Sequence, residues 1–144
     1  MSTFEPGLAD QRLAAISGSV AGLVRDHYGR DSIDVKSYAF EDIIVVVIRG
    51  HGFTSLEKAM IDGGEPQGVI ALRMDFDDIM ADRYKQIINT ATGRNVLALL
   101  SQSHVDPDVT VETAFLDGQP RLLAAVKPPP TPIGGPKARG RRTA

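Results

Sequence analysis

The sequence predicts an α+β protein in which a helix–strand–strand unit is used twice to build one antiparallel sheet. Three observations support this: apolar residues recur at helical spacing in two long segments, each segment precedes a pair of strand-like runs, and a Gly-Arg pair follows each helix, at 29–30 and 93–94. Two hairpins favour a four-stranded antiparallel sheet with the helices on one face. The predicted element order is α-β-β-α-α-β-β.

The first unit spans residues 9–50. From Ala9 to Tyr28 the apolar positions step by three and four, which predicts an amphipathic helix. Residues 32–40 alternate as a half-buried strand does, and Glu41-Asp42 supplies the turn. Residues 43–48 are apolar at every position, a pattern typical of a strand covered on both faces.

A short helix and the second unit follow. Thr54 and Glu57 have the spacing of a capping box, which predicts a helix start there. After the break at 62–66, residues 67–92 predict a longer helix that ends at Gly93. Two strands, 95–103 and 109–116, flank a turn at Asp106-Pro107-Asp108. The predicted apolar stripe of the long helix consists of Leu72, Phe76, Ile79, Met80, Ile87 and Ala91.

The chain of 144 residues suits a single domain, which we place at residues 9–126. We expect residues 1–8 to be a flexible lead-in, and residues 121–126 predict either an edge strand or a short helix. Residues 127–144 hold five of the nine prolines and five of the 16 basic residues, but none of the 18 acidic ones. They predict a disordered basic tail beside an acidic body.

The composition argues against several classes of protein. No cysteine is present, so disulfides and thiolate sites are excluded. No signal peptide is evident, and the longest apolar run, 43–48, is too short for a transmembrane segment, so we expect a cytoplasmic protein. There is no phosphate-binding loop, dinucleotide fingerprint or nucleophile elbow. We therefore expect a non-enzymatic protein without cofactors or bound metal.

Five residues are candidates for binding a ligand or a partner. His104, Asp106 and Asp108 alternate around the second turn and suit either a metal or proton site or a solvated turn. Arg30 and Arg94 follow the two helix-ending positions, where an arginine binds an anion, pairs with an acid or caps helix carbonyls.

The acids of the long helix allow two interpretations. Asp75, Asp78 and Asp82 are spaced to share one face, which is either a solvated face or a surface for a cation or a basic partner. Asp77 lies four residues from Arg73, a spacing that allows an ion pair on the helix surface.

The predicted sheet has one face that the chain cannot cover. Alternate residues of 43–48 and some of 109–115 are apolar on that side, and too few residues remain to pack over them. A large exposed apolar face is normally buried against a partner. The sequence therefore predicts a homodimer that uses this face symmetrically.

The assembled pieces resemble the MpsC-type domain family, named for a sodium-translocating, membrane-potential-generating system. The matching segments are GRDSIDVKSYAFEDIIVVVIRG at 29–50, the Thr54–Glu57 helix start, Arg73 and Phe76, TGRNV at 92–96, and SQSHVDPDVTVETAFL ending at Leu116. The resemblance implies a small bacterial α+β protein that serves as a cytosolic accessory or regulatory component of a membrane transport complex. That complex would translocate ions or inorganic carbon. The alternatives are a small-ligand or ion sensor, or weak nucleic-acid binding through the basic tail, although nucleic acid is the less favoured partner.

Overall fold

The structure, a computed structural model, describes residues 8–28 and 33–121. Three helices and four strands follow one another in the predicted order α-β-β-α-α-β-β, so the α+β prediction is confirmed. Their bounds are α1 Leu8–Tyr28, β1 Asp34–Phe40, β2 Ile43–Arg49, α2 Ser55–Asp62, α3 Pro66–Thr92, β3 Val96–His104 and β4 Val109–Leu116.

The four strands form one antiparallel sheet in the order β1-β2-β4-β3. Each hairpin places its second strand at the centre, and the hairpins join where Ile43 lies opposite Phe115 and Arg49 opposite Val109. Helix α1 packs over β1 and α3 packs over β3. The two helix–strand–strand units therefore take equivalent positions on either side of the β2–β4 pairing, which is the arrangement that an internal repeat predicts.

The hydrophobic core lies between the two long helices and the central strands. The helices cover only one face of β2. Its even-numbered residues, 44, 46 and 48, are fully buried, whereas residues 43, 45 and 47 are half-buried. The prediction that β2 is covered on both faces is therefore wrong within the described residues. The core consists of Ile16, Val20, Val24, Ile44, Val46, Ile48, Met80, Tyr84, Ile88, Ala114 and Leu116.

The predicted apolar stripe of α3 is partly wrong. Ile79 is 73% exposed and Leu72 is 37% exposed, whereas Arg73 and Asp77 are buried. The reason lies in the sheet below the helix, whose inner face carries polar residues on β3 and β4. The buried polar residues of these two strands are Ser103, Thr110 and Glu112. The polar helix face packs there with Arg73 donating a hydrogen bond to Asp108, just before β4.

The predicted lead-in, the alternatives for residues 121–126 and the basic tail at 127–144 lie outside the described residues, except for Leu8, which begins α1, and Arg121, which lies in a turn.

Candidate functional site

A buried arginine connects four segments of the chain beneath the N-terminal half of α3. The side chain of Arg73 is 1% exposed, and its Nη1 donates a hydrogen bond of 2.6 Å to Oδ1 of Asp108, just before β4. Its Nη2 donates to the carbonyl oxygen of Gly52 in the loop after β2. The other carboxylate oxygen of Asp108, Oδ2, accepts from the Gly52 N–H at 2.8 Å. Arg73, Asp108 and Gly52 therefore form a closed three-residue ring of hydrogen bonds.

Helix α2 supplies a second carboxylate to this ring. Oε1 of Glu57 accepts from the N–H of Thr54 at 2.9 Å, and the Glu57 N–H donates to Oγ1 of Thr54 at 3.1 Å, which confirms the predicted capping box. Oε2 of Glu57 lies 3.9 Å from Nε of Arg73. One carboxylate thus starts α2 and also offsets the buried positive charge.

Aromatic rings enclose the guanidinium group. The Phe53 ring centroid lies 4.6 Å from Cζ of Arg73, and the Tyr28 centroid lies 5.8 Å from it, so both rings contribute cation–π attraction. Burial, and then the negative charge of Glu57, raises the pKa of Tyr28 to about 12. Its ring meets the His51 ring edge-on, with centroids 4.2 Å apart.

His51 is kept neutral by this environment. Its side chain is 2% exposed, and burial followed by the charge of Arg73 lowers its pKa to about 4. Its Nδ1 is buried without a hydrogen-bond partner among residues 8–28 and 33–121. A neutral imidazole packed on aromatic rings is a structural element of the core rather than an exposed base.

A pair of carboxyl groups lies one helical turn further along α3. Asp77 is 3% exposed and Glu112, in the middle of β4, is 1% exposed. Oε1 of Glu112 forms a hydrogen bond with the Ser101 hydroxyl, directly opposite on β3. Burial raises the pKa of Glu112 to about 9, with the charge of Asp77 as the second cause. Burial also raises the pKa of Asp77 to about 6, although its interaction with Glu112 opposes this.

The sheet face away from the helices is apolar and open in the described part of the chain. Tyr38, Val45, Thr113 and Leu100 form one row across the four strands, and Phe40, Ile43, Phe115 and Ala98 form a neighbouring row. Tyr38, Phe40 and Leu100 are 52%, 65% and 59% exposed. We call this surface, which the residues of these two rows define, the open sheet face.

The structure separates the three candidates of the second turn. Asp108 points to Arg73, whereas His104 and Asp106 are exposed. Nδ1 of His104 donates to the Pro107 carbonyl at 3.0 Å. His104 and Asp106 line a cleft of about 370 Å³ with Ile61, Pro66 and Ile70. In the described ranges no group of three His, Cys, Asp or Glu residues could hold a metal ion.

Arg94 lies at the other end of the sheet. Its Nε donates to the Gln119 carbonyl at 2.7 Å, so it holds the chain after β4 against the start of β3. Arg30, its counterpart in the first unit, lies outside the described residues. The positions of Arg94 and of the second turn are more than a strand length apart, so these candidates do not share a site.

Sequence reasoning missed Asp77 and Glu112 as a buried pair. One signal was present in β4, where both alternating sets of residues are apolar or hydroxyl-bearing except for Glu112. A single acid in such a strand indicates a buried carboxyl group. Asp77 had no comparable signal, because acids surround it on α3.

The fold and this site define a two-layer α+β protein with a charged layer buried under α3 and the open sheet face on the opposite side. A family model described as "Na+-translocating membrane potential-generating system (MpsC)" matches residues 9–118. The chain belongs to the MpsC family.

No curated protein and no solved structure matches the chain significantly. Within the residues that the structure describes, no helix is long and apolar enough to cross a membrane.

Proposed function

We propose that the protein is a non-enzymatic, homodimeric accessory component of a Na+-translocating membrane system, and that it acts from the cytoplasmic side. Membership of the MpsC family supports the association with such a system. The open sheet face is the observation that supports self-association. Apart from Thr113, its side chains are apolar or aromatic; they lie in register across all four strands and have no covering element among the described residues.

The size of this face favours a protein partner. Its two rows, each two residues deep along the strands, extend across four strands and give a flat area of roughly 250 Å². Apolar patches of this size on soluble proteins are commonly interaction sites, whereas single exposed apolar residues need no explanation. A second copy of the chain is the partner that presents an equally apolar and equally shaped face, and two twisted sheets pack well face to face.

Light scattering coupled to size-exclusion chromatography tests this proposal. The full-length chain is expected to elute at twice its mass of 15.5 kDa at micromolar concentration. Leu100→Glu and Tyr38→Glu are expected to give the monomer mass, because each places a charge within the apolar interface. Both positions are exposed in the single chain, so the fold should be retained.

Ile79→Glu is the matched control. Ile79 is 73% exposed on α3, on the helical side of the molecule, and its replacement introduces the same charge on an exposed apolar residue. This variant is expected to remain dimeric. A monomeric wild-type chain, or a monomer produced equally by Ile79→Glu, would contradict self-association through the sheet.

The accessory role is tested separately. The full-length chain carrying an affinity tag is expected to co-purify with an integral membrane protein from detergent-solubilised membranes. If the Leu100→Glu variant no longer co-purifies with that protein, the complex requires the dimer. Recovery of the wild-type dimer alone would refute membership of a membrane complex while leaving the dimer intact.

A further inference from the structure

The carboxyl groups of Asp77 and Glu112 lie together in the interior with an unusual surplus of unpartnered oxygens. Oδ2 of Asp77 and Oε2 of Glu112 are buried without a hydrogen-bond partner in the described part of the chain. The hydroxyl of Tyr84, a residue that is 1% exposed, is also without a partner there. Tyr84 lies within electrostatic range of both carboxyl groups. Asp77 and Tyr84 lie on α3 and Glu112 lies on β4, and the two carboxyl groups are close enough to interact between the helix and the sheet.

Among residues 8–28 and 33–121, no cationic side chain forms an ion pair with Asp77 or Glu112. Both short hydrogen bonds of the nearby Arg73 go elsewhere, to Asp108 and Gly52. Directly opposite Glu112 on β2 is the apolar Val46, and on β3 is the neutral Ser101. Two adjacent ionised carboxylates in this environment would carry an unpaired buried charge, whose cost is several kcal/mol. Retaining a proton removes that cost.

We propose that Asp77 and Glu112 form a proton-binding site that holds one proton between them at neutral pH, so that separating α3 from the sheet releases this proton. The raised pKa of Glu112, about 9, is consistent with the site keeping its proton while Asp77 carries the negative charge. The proposal concerns the interior of one chain and does not depend on self-association.

The other groups that face the pair modulate the site. On α3, the charge of Arg73 lowers the pKa of Asp77 and that of Asp78 raises it. Tyr84 on α3 and Tyr28 on α1 have raised pKa values and are therefore neutral at physiological pH. Ser101 on β3 lowers the pKa of Glu112 through its hydrogen bond. These opposing effects leave burial as the dominant cause of proton retention.

The pH range from 7 to 9 isolates the proton of Glu112. In the unfolded chain this carboxyl is ionised throughout the range, whereas the folded chain retains the proton up to a pKa of about 9. Folding stability therefore falls as pH rises, and the equilibrium constant for unfolding increases up to about tenfold per pH unit. Asp77 and His51 titrate below this range in the folded protein, and Tyr28 titrates above it.

Chemical denaturation of the full-length chain at fixed ionic strength measures this constant. Wild type is expected to show an increase of up to about a hundredfold from pH 7 to pH 9. Glu112→Gln, which resembles the protonated side chain, is expected to be nearly independent of pH in this range. Glu65→Gln, an exposed control, is expected to match wild type. A wild-type constant that is independent of pH would overturn the proposal.

A second measurement applies to wild type alone and does not require the variant to fold. Difference infrared spectroscopy at pH 7 is expected to show the carbonyl stretch of one protonated carboxyl group, which disappears above pH 9. Its absence at pH 7 would overturn the proposal. A stabilisation at pH 8 by NaCl but not by KCl would also overturn it, because a cation would then occupy the place of the proton.

Discussion

Nη1 of Arg73 donates a hydrogen bond of 2.6 Å to Oδ1 of Asp108, and this contact connects the first turns of α3 to the beginning of β4. The Asp108 backbone carbonyl also accepts from the Gly50 N–H at 3.2 Å. One aspartate therefore holds both the helix and the loop that follows β2. Each repeated unit has its own hairpin. Asp108, in the second hairpin, holds the loop through which the chain leaves the first hairpin.

Removing the carboxylate of Asp108 is expected to destabilise the protein strongly. Asp108→Ala leaves the buried guanidinium of Arg73 without its closest partner and the Gly52 N–H without an acceptor. Loss of one member of a buried ion pair costs about 3–5 kcal/mol. Asp108→Asn retains an acceptor oxygen and is expected to lose less. Urea denaturation measures both differences in the free energy of unfolding.

Asp82→Ala is the control for this prediction, because Asp82 is an exposed acid in the middle of α3. Its effect is expected to stay within about 0.5 kcal/mol. If Asp108→Ala were equally mild, the contact between α3 and the second turn would not contribute to stability.

A side chain at Gly52 is expected to destabilise the protein. Its φ is +88°, in the region that favours glycine, and its N–H and carbonyl groups both belong to the hydrogen-bonded ring around Arg73. Gly52→Ala is expected to lower the free energy of unfolding by about 1–2 kcal/mol or more, since the backbone strain cannot relax without breaking those bonds. Thermal unfolding followed by circular dichroism measures the change.

Gly18→Ala gives the opposite expectation and serves as its control. Gly18 lies within α1, and a Cβ atom added there meets nothing within 4 Å. Alanine in a helix interior is favoured over glycine by about 1 kcal/mol, so this variant is expected to be more stable than wild type. Equal destabilisation by both substitutions would show that the positive φ of Gly52 is unimportant.

The neutrality of His51 is expected to contribute an acid-sensitive part of the stability. Its pKa is lowered to about 4, so between pH 6.5 and pH 4 the unfolded chain binds a proton that the folded chain does not. This contribution is complete above pH 6.5 and is lost as the pH falls. His51→Phe removes the titrating group, so its free energy of unfolding should approach that of wild type by up to about 1.4 kcal/mol per pH unit on acidification.

The prediction concerns the difference between His51→Phe and wild type and not wild type alone. Protonation of Asp77 and Glu112 stabilises the folded chain as the pH falls in part of this range, which opposes the effect of His51. Those contributions cancel in the difference between the two proteins. His104→Phe, at an exposed position, is expected to run parallel to wild type. A constant difference between His51→Phe and wild type from pH 4 to 6.5 would contradict the prediction.

The order of elements and the sheet could be predicted because they depend on local patterns. The Gly-Arg pairs, the Thr54–Glu57 capping box and the alternation in β4 each act within a few residues. The buried charged layer could not be predicted in the same way. Arg73 pairs with Asp108, 35 residues away, instead of with Asp77, four residues away, and only the packing of α3 on the polar strands decides between them.

The packing of α3 can be tested by determining which face of the helix lies in the core. The apolar stripe expected from sequence includes Ile79, whereas the structure exposes 73% of Ile79 and buries Ile88 to 1% exposure. Ile88→Ala is expected to cost about 2–5 kcal/mol, because it removes buried methyl groups and leaves a cavity. Ile79→Ala is expected to cost less than about 0.5 kcal/mol. Denaturant unfolding of the two variants compares the same chemical change at two positions of one helix. Comparable losses would place Ile79 in the core and would rotate Arg73 and Asp77 out of the interior.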